Sequence, residues 1–203
     1  MNRPTWNQLN IFEEVFRGQG LLVAGTDEVG RGPLAGPVVA AAVILNASHS
    51  IEGLDDSKRL SPGARLQLTA LIQSRALAIG IGAVGPRTIE RINILEASRL
   101  AMRRAIARLS MRPHIVLSDA MALPHAPYRT VALIRGDQRS ASIAAASIVA
   151  KVVRDRYMED LHRQFPQYGF EQHKGYATQS HRDAIRRFGP CGAHRATFLH
   201  SRK

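Results

Sequence analysis

The chain of 203 residues has one cysteine, Cys191. That excludes an intramolecular disulfide and is compatible with a reducing cytoplasm. No apolar run reaches the roughly 20 residues of a membrane span, and the opening MNRPTWNQLN lacks the apolar segment of a signal peptide. No membrane partner is expected, and a cytoplasmic location is. The sequence contains no internal repeat and no low-complexity linker. Histidine has neither the cysteine partners nor the His-Glu-x-x-His spacing of a zinc site. No Ser/His/Asp order or cysteine nucleophile stands out.

Acids are also scarce, at 16 against 28 lysines and arginines, which leaves a net charge of +12. A soluble protein this basic most often meets a polyanion, nucleic acid above all. The excess is concentrated late in the chain. From Lys151 onward there are 11 basic and 5 acidic side chains, with five of the eight histidines. Apolar residues make up 45%, enough for a full core and against intrinsic disorder.

Residues 1–203 are expected to form one domain with a basic, helical C-terminal part from about residue 155. Leu21–Val29 and Val38–Leu45 read as strands joined by a Gly/Pro-rich turn, and Ala76–Gly85 as a third. Ser61 and Pro62 read as the N-cap and first residue of a helix. In 86–110, Ile92, Leu95, Met102, Ile106 and Leu109 recur at near-helical spacing, which predicts an amphipathic helix. HIVLSDA and YRTVALIRG supply two more strands, an Ala-rich helix begins at SASIAAAS, and Thr178–Phe188 form a last short one ending at Gly189. Early strands followed by alternating strands and helices indicate an α/β fold with a mixed sheet.

Three of these strands run into acids: Asp27 with Glu28, Asp119, and Asp137. A single Asp after a strand is usually a turn former or a helix cap. Three such strand ends point instead to a divalent cation, because clustered carboxylates repel unless they are protonated or hold metal. Mg²⁺ suits such a site, since it takes oxygen ligands and keeps several waters. Neighbouring residues on a strand face opposite ways. Asp27 and Glu28 therefore need a bend, or Glu28 acts partly through its carbonyl.

Gly30-Arg31-Gly32 follows directly. Its glycines permit positive φ and close approach, and its N–H groups can form an anion-binding concavity. It is neither a P-loop nor a dinucleotide-binding turn. LDDSKRLSP places Asp55, Asp56, Ser57 and Lys58 in a loop before a helix. HKGYATQSH offers Lys174 and Tyr176, an aromatic amid basic residues that can stack on a sugar or base. His194 and Arg195 near the end could touch phosphate or pack a C-terminal turn. The histidines read as surface or phosphate contacts.

Together these stretches resemble type 2 ribonuclease H, the bacterial ribonuclease HII family, nearly end to end. GTDEVGRGPLAGPVVAAAVIL, LDDSKRLS, INILEAS, IRGDQRSASIAAASIVAKVVRD, FPQYGFEQHKGYATQSH and HRATF carry the resemblance. It implies a ribonuclease H-like mixed five-stranded sheet flanked by helices, with a helical C-terminal extension. It also implies metal-binding, catalytic roles for Asp27, Glu28, Asp119 and Asp137 with two Mg²⁺ or Mn²⁺ ions. By the same token Gly30, Arg31 and Gly32 form the substrate-reading turn and Tyr176 lies at the ribonucleotide. Lys58, Lys174 and Arg195 are then phosphate or structural contacts. The implied substrates are RNA/DNA hybrids and DNA duplexes containing ribonucleotides, cut by a monomer to leave 3′-hydroxyl and 5′-phosphate ends. Such activity would serve ribonucleotide excision and DNA replication.

Two departures stand out. Ala120 follows Asp119 where the family usually has Gly, and Asp137 follows Arg-Gly instead of Lys-Gly. Neither removes a carboxylate. Two rival readings are a catalytically silent hybrid-binding module and a metal-dependent phosphatase acting on free nucleotides.

Overall fold

A computed structural model describes residues 4–199. Two short helices, α1 (Trp6–Leu9) and α2 (Ile11–Arg17), precede strands β1 (Val23–Val29) and β2 (Val38–Leu45). Then come α3 (Pro62–Arg75), β3 (Ala76–Val84), α4 (Pro86–Ala107), β4 (Ile115–Asp119) and β5 (Arg129–Leu133). The C-terminal part is helical: α5 (Ala141–Gln164), α6 (Phe170–His173), α7 (Gln179–Phe188) and α8 (Ala196–Leu199). The sheet order is β3-β2-β1-β4-β5. β1, β2 and β3 pair antiparallel, whereas β4 joins β1, and β5 joins β4, in parallel. Among the described residues no helix is long and apolar enough to cross a membrane.

β2 is buried along its whole length because helices cover both faces of the sheet. One face packs against α5, whose residues from Ala141 to Ala150 are all buried, together with Leu68 and Ile72 of α3. Small alanines let this helix lie close to β1 and β2. The other face packs against α4 through Ile89, Ala97, Ala101, Met102, Ala105 and Ile106. Here the sheet yields the space: a Cβ on Gly80 or Gly82 would stand 2.0 Å from the carbonyl oxygen of Ala105 or Ala101.

α4 departs from the expected amphipathic helix at one residue. Asn93 adopts φ 62° and ψ 168°, breaking the helix, and its Oδ1 accepts from the N–H groups of Leu95 and Glu96. Asn93 thus caps a fresh helical segment with its own side chain. The break rotates the apolar phase, so Leu95 is left exposed and alanines meet the sheet.

Candidate active site

Asp27 and Glu28 close β1, where they pair with Ala41 and Ala40 of β2. Thr26 stands beside Ser118 in the parallel register with β4, which brings Asp119 to the same strand end as Asp27. Asp137 sits in a 3-10 turn, Gly136–Gln138, just beyond β5. Asp119 itself holds that turn, since its Oδ1 accepts from Gly136 N–H at 2.7 Å. The turn leads directly into α5, which Ser140 caps.

The charges register one another. Burial pushes the Asp27 carboxyl well above its ordinary range, with Glu28, Asp119 and Asp137 raising it further. Burial lifts Glu28 to about 7, opposed by Arg31 and reinforced by Asp119. Asp137 rises to about 6 through burial and the neighbouring charges of Asp56 and Asp119, with Lys58 opposing. Asp56, one of the two acids of the LDDSK loop, is therefore a fifth carboxylate at this end of the sheet.

Asp27 Oδ1 accepts from Glu28 N–H at 2.8 Å, and Glu28 Oε1 lies 3.5 Å from Arg31 Nη1. Glu28 Oε2 is buried and has no hydrogen-bond partner among the described residues. Among the described residues no three metal-ligating side chains are gathered closely enough to hold an ion as they stand. The donor set still suits a hard divalent cation. It is all oxygen, burial and neighbouring charge push Asp27, Glu28 and Asp137 toward neutrality, and one buried oxygen lacks a donor among the described residues.

The Gly-Arg-Gly turn follows at the same end. Gly30 has φ +97°, and a Cβ there would stand 2.2 Å from Arg154 Nε. Only glycine fits. Arg31 and Gly32 are exposed. Lys58 is exposed and acts on Asp137. Lys174 lies next to the Tyr176 segment with its Nζ on Glu159 at 2.7 Å. Tyr176 is 44% exposed and acts electrostatically on both Arg154 and Arg195.

Arg195 is completely buried, with its guanidinium bonded to the carbonyl oxygens of Gly30, Arg31 and Gly36. Of the two roles offered by the sequence, this is the structural one. Burial and the charge of Arg154 lower its pKa to about 9.

The histidine reading needs correction, because His181 and His194 are buried. Burial lowers His181 to about 4, so it is neutral at physiological pH. His194 Nδ1 accepts from Cys191 N–H at 2.9 Å. Its Nε2 then donates to His181 Nε2 at 3.1 Å, leaving His181 Nδ1–H to donate to the Tyr176 carbonyl at 2.8 Å. The chain of bonds anchors the backbone of Tyr176.

Arg154 and Glu13 have no signal in the sequence, yet both are fully buried at the edges of this region. Glu13 Oε1 accepts from Ser140 Oγ at 2.6 Å and Ser142 N–H at 2.8 Å, at the N-terminus of α5. Charged side chains read as surface from sequence alone.

The sequence model of the family described as ribonuclease HII matches residues 24–201. The chain belongs to the ribonuclease HII family. A ribonuclease HII of Geobacillus kaustophilus is 53% identical over 194 residues, 95% of this chain and 74% of that protein. One from Vibrio vulnificus is 52% identical over 176 residues, covering 87% and 85% of the two chains. Among solved structures, the ribonuclease HII of Archaeoglobus fulgidus, determined as a PCNA:RNase HII complex, is 28% identical with a TM-score of 0.73. That match covers 90% of this chain and 98% of that one. The ribonuclease H2 of Pyrococcus horikoshii is 26% identical with a TM-score of 0.72, covering 86% and 92%. These ribonuclease HII relatives make the chain a ribonuclease H enzyme, and their structures share its mixed five-stranded sheet and flanking helices.

Proposed function

We propose that this ribonuclease HII is a divalent-metal-dependent endonuclease. It hydrolyses the RNA strand of RNA/DNA hybrids and nicks duplex DNA on the 5′ side of a single embedded ribonucleotide. The observation that carries the reading is the gathering of Asp27, Glu28, Asp119 and Asp137 at one end of the sheet, beside the Gly-Arg-Gly turn. The chain acts as a single catalytic unit, as a monomer in the cytoplasm.

Those four side chains would hold Mg²⁺ or Mn²⁺, and the bound metal would supply a more acidic water and charge neutralisation at the phosphate. Hydrolysis adds a water oxygen to phosphorus and breaks the bond to the 3′ oxygen, giving 3′-hydroxyl and 5′-phosphate ends. The protein's share is placement. Asp119 spends one oxygen on Gly136 N–H and so fixes the turn of Asp137 while keeping the other oxygen for the site. Asp27 does likewise with Glu28 N–H. Gly30, Arg31, Gly32 and Tyr176 read the 2′-hydroxyl and sugar at the RNA–DNA junction, because only the ribonucleotide offers that hydroxyl. The basic C-terminal part grips flanking phosphates, which makes binding salt-dependent.

The test is an end-labelled DNA duplex with one ribonucleotide, incubated with Mg²⁺ or Mn²⁺, with and without EDTA. A single metal-dependent nick 5′ of the ribonucleotide is expected. Binding without any nick would overturn the catalytic reading, and cleavage of long hybrid tracts alone would overturn the junction reading.

A further inference from the structure

The Gly-Arg-Gly turn and the Tyr176 segment come from opposite ends of the chain. Backbone bonds join them: Leu34 N–H donates to Gly175 O, Gly36 N–H to Ala193 O and Arg195 N–H to Leu34 O, each at 2.8 Å. Ala35 also forms a bridge with His194. The segments are so close that a Cβ on Gly175, at φ +85°, would stand 2.6 Å from Ala35 O.

Two arginines lie inside this junction, both at 0% exposure. Arg154 donates from Nε to Pro37 O at 3.0 Å, from Nη2 to Ala35 O at 3.2 Å and from Nη1 to Lys174 O at 3.0 Å. It therefore holds the end of the Gly-Arg-Gly turn and the start of the Tyr176 segment in one guanidinium. Arg195 donates from Nη1 to Arg31 O at 2.8 Å and from Nη2 to Gly30 O at 2.6 Å. Its Nε and Nη2 also reach Gly36 O, at 3.0 and 2.8 Å. Asp155, whose charge acts on Arg154, is itself paired with Lys151 and Arg65.

Two buried cations side by side, bonded only to neutral carbonyls, are a costly way to fill space, and apolar residues of similar volume often do it better. What an apolar side chain lacks is a planar fork with several donors at fixed angles. The fork has a directional consequence. In a trans peptide the N–H opposes the carbonyl. Drawing the carbonyls of Gly30 and Arg31 inward to Arg195 therefore turns the N–H groups of Arg31 and Gly32 away from it, on the exposed stretch of the turn.

We propose that Arg154 and Arg195 are positioning residues that fuse the Gly-Arg-Gly turn and the Tyr176 segment into one reading element, held in fixed register for an RNA–DNA junction. This rests on the reading of those two elements given under Proposed function.

The test compares Arg154→Lys and Arg195→Lys with the native enzyme on a single-ribonucleotide duplex and on a long RNA/DNA hybrid. Lysine keeps the charge and loses the fork. The expected result is a selective loss: kcat/KM on the single-ribonucleotide duplex falls about tenfold or more relative to the hybrid, mainly through KM. Equal losses on both substrates would reduce the arginines to general support and overturn the proposal, as would unchanged kinetics. A second measurement needs no variant. Native-state amide exchange in the unsubstituted protein should show the Leu34, Gly36 and Arg195 N–H groups opening together, with one denaturant dependence. Separate openings would overturn the fusion. Should the native enzyme cut the hybrid and spare the single-ribonucleotide duplex, the junction reading fails, while the exchange data still decide the fusion itself.

Discussion

The carboxylates at the strand ends and the arginines beneath the Gly-Arg-Gly turn pose one electrostatic problem with opposite signs. Each cluster gathers like charges and buries them, so the carboxyl pKa values rise and the guanidinium values fall. The arginines are answered from within: among the described residues, every hydrogen bond they make ends on a backbone carbonyl. The carboxylates are answered only in part, by two backbone N–H groups, a half-exposed Arg31 and an exposed Lys58, and Glu28 Oε2 has no donor among the described residues. A saturated charged cluster is built to hold a shape. An unsaturated one keeps room for a positive charge, as the proposed metal site requires.

The largest expected effect probes the unsaturated side. Asp119→Asn removes a charge that acts on Asp27, Glu28 and Asp137. Turnover should fall by roughly three orders of magnitude while duplex binding persists, as read by nicking assays and gel shifts on the same duplex. Near-normal activity would sink the assignment. On the saturated side, Arg154→Met leaves the carbonyls of Pro37, Ala35 and Lys174 without their donor. Chemical denaturation should show a net loss of about 1–3 kcal/mol, the cost of orphaned carbonyls less the relief of unburying a charge, and a loss below about 1 kcal/mol would mean the carbonyls find other donors.

pH should separate the clusters next. Glu28 and Asp137 ionise near 7 and 6 in the folded protein, above the range of an unfolded chain near 4. Between those limits the folded state binds more protons than the unfolded one, so stability falls as pH rises from about 4 to 7. At about 1.4 kcal/mol per pH unit the two shifts set an upper bound of about 6 kcal/mol on that loss in metal-free protein, and Glu28→Gln should remove roughly half of it. A flat native profile would argue against the crowding of charge. The smallest effect concerns Ala120, which follows Asp119 at φ +48°. An L-residue is strained there by about 1 kcal/mol, so Ala120→Gly should raise thermal stability slightly without changing the products. A drop in stability would show that unfolded-state entropy outweighs the strain.

How much of this the residues announce depends on range. Asp27, Glu28 and Asp119 were legible because each interrupts an apolar run at its end, and Ser61 because capping is local chemistry; the caps Ser140 and Thr178 were read only as the first residues of their helices. The break at Asn93 was not, since INILEAS reads as unbroken helix until the backbone angle is seen. Asp56 drew notice only as part of a loop, because its nearness to Asp137 depends on how α3 packs against α5. Arg154 and Glu13 were the least legible as structural members, and Arg195 was offered as one only beside a phosphate contact. Burying a charge is a tertiary event, settled by carbonyls, hydroxyls or amides that lie far away along the chain.

Glu13 shows what that distance means in practice. It belongs to the N-terminal helices, ahead of residue 24 where the family match begins, yet it accepts the bonds that start α5 next to Asp137. A shortened protein beginning at β1 would keep every proposed ligand and every reading residue. It would also leave Ser140 and the N–H of Ser142 with no acceptor, loosening the foot of the longest helix just where the last carboxylate is mounted. Trimming this enzyme to its recognisable core is therefore a change to its candidate active site.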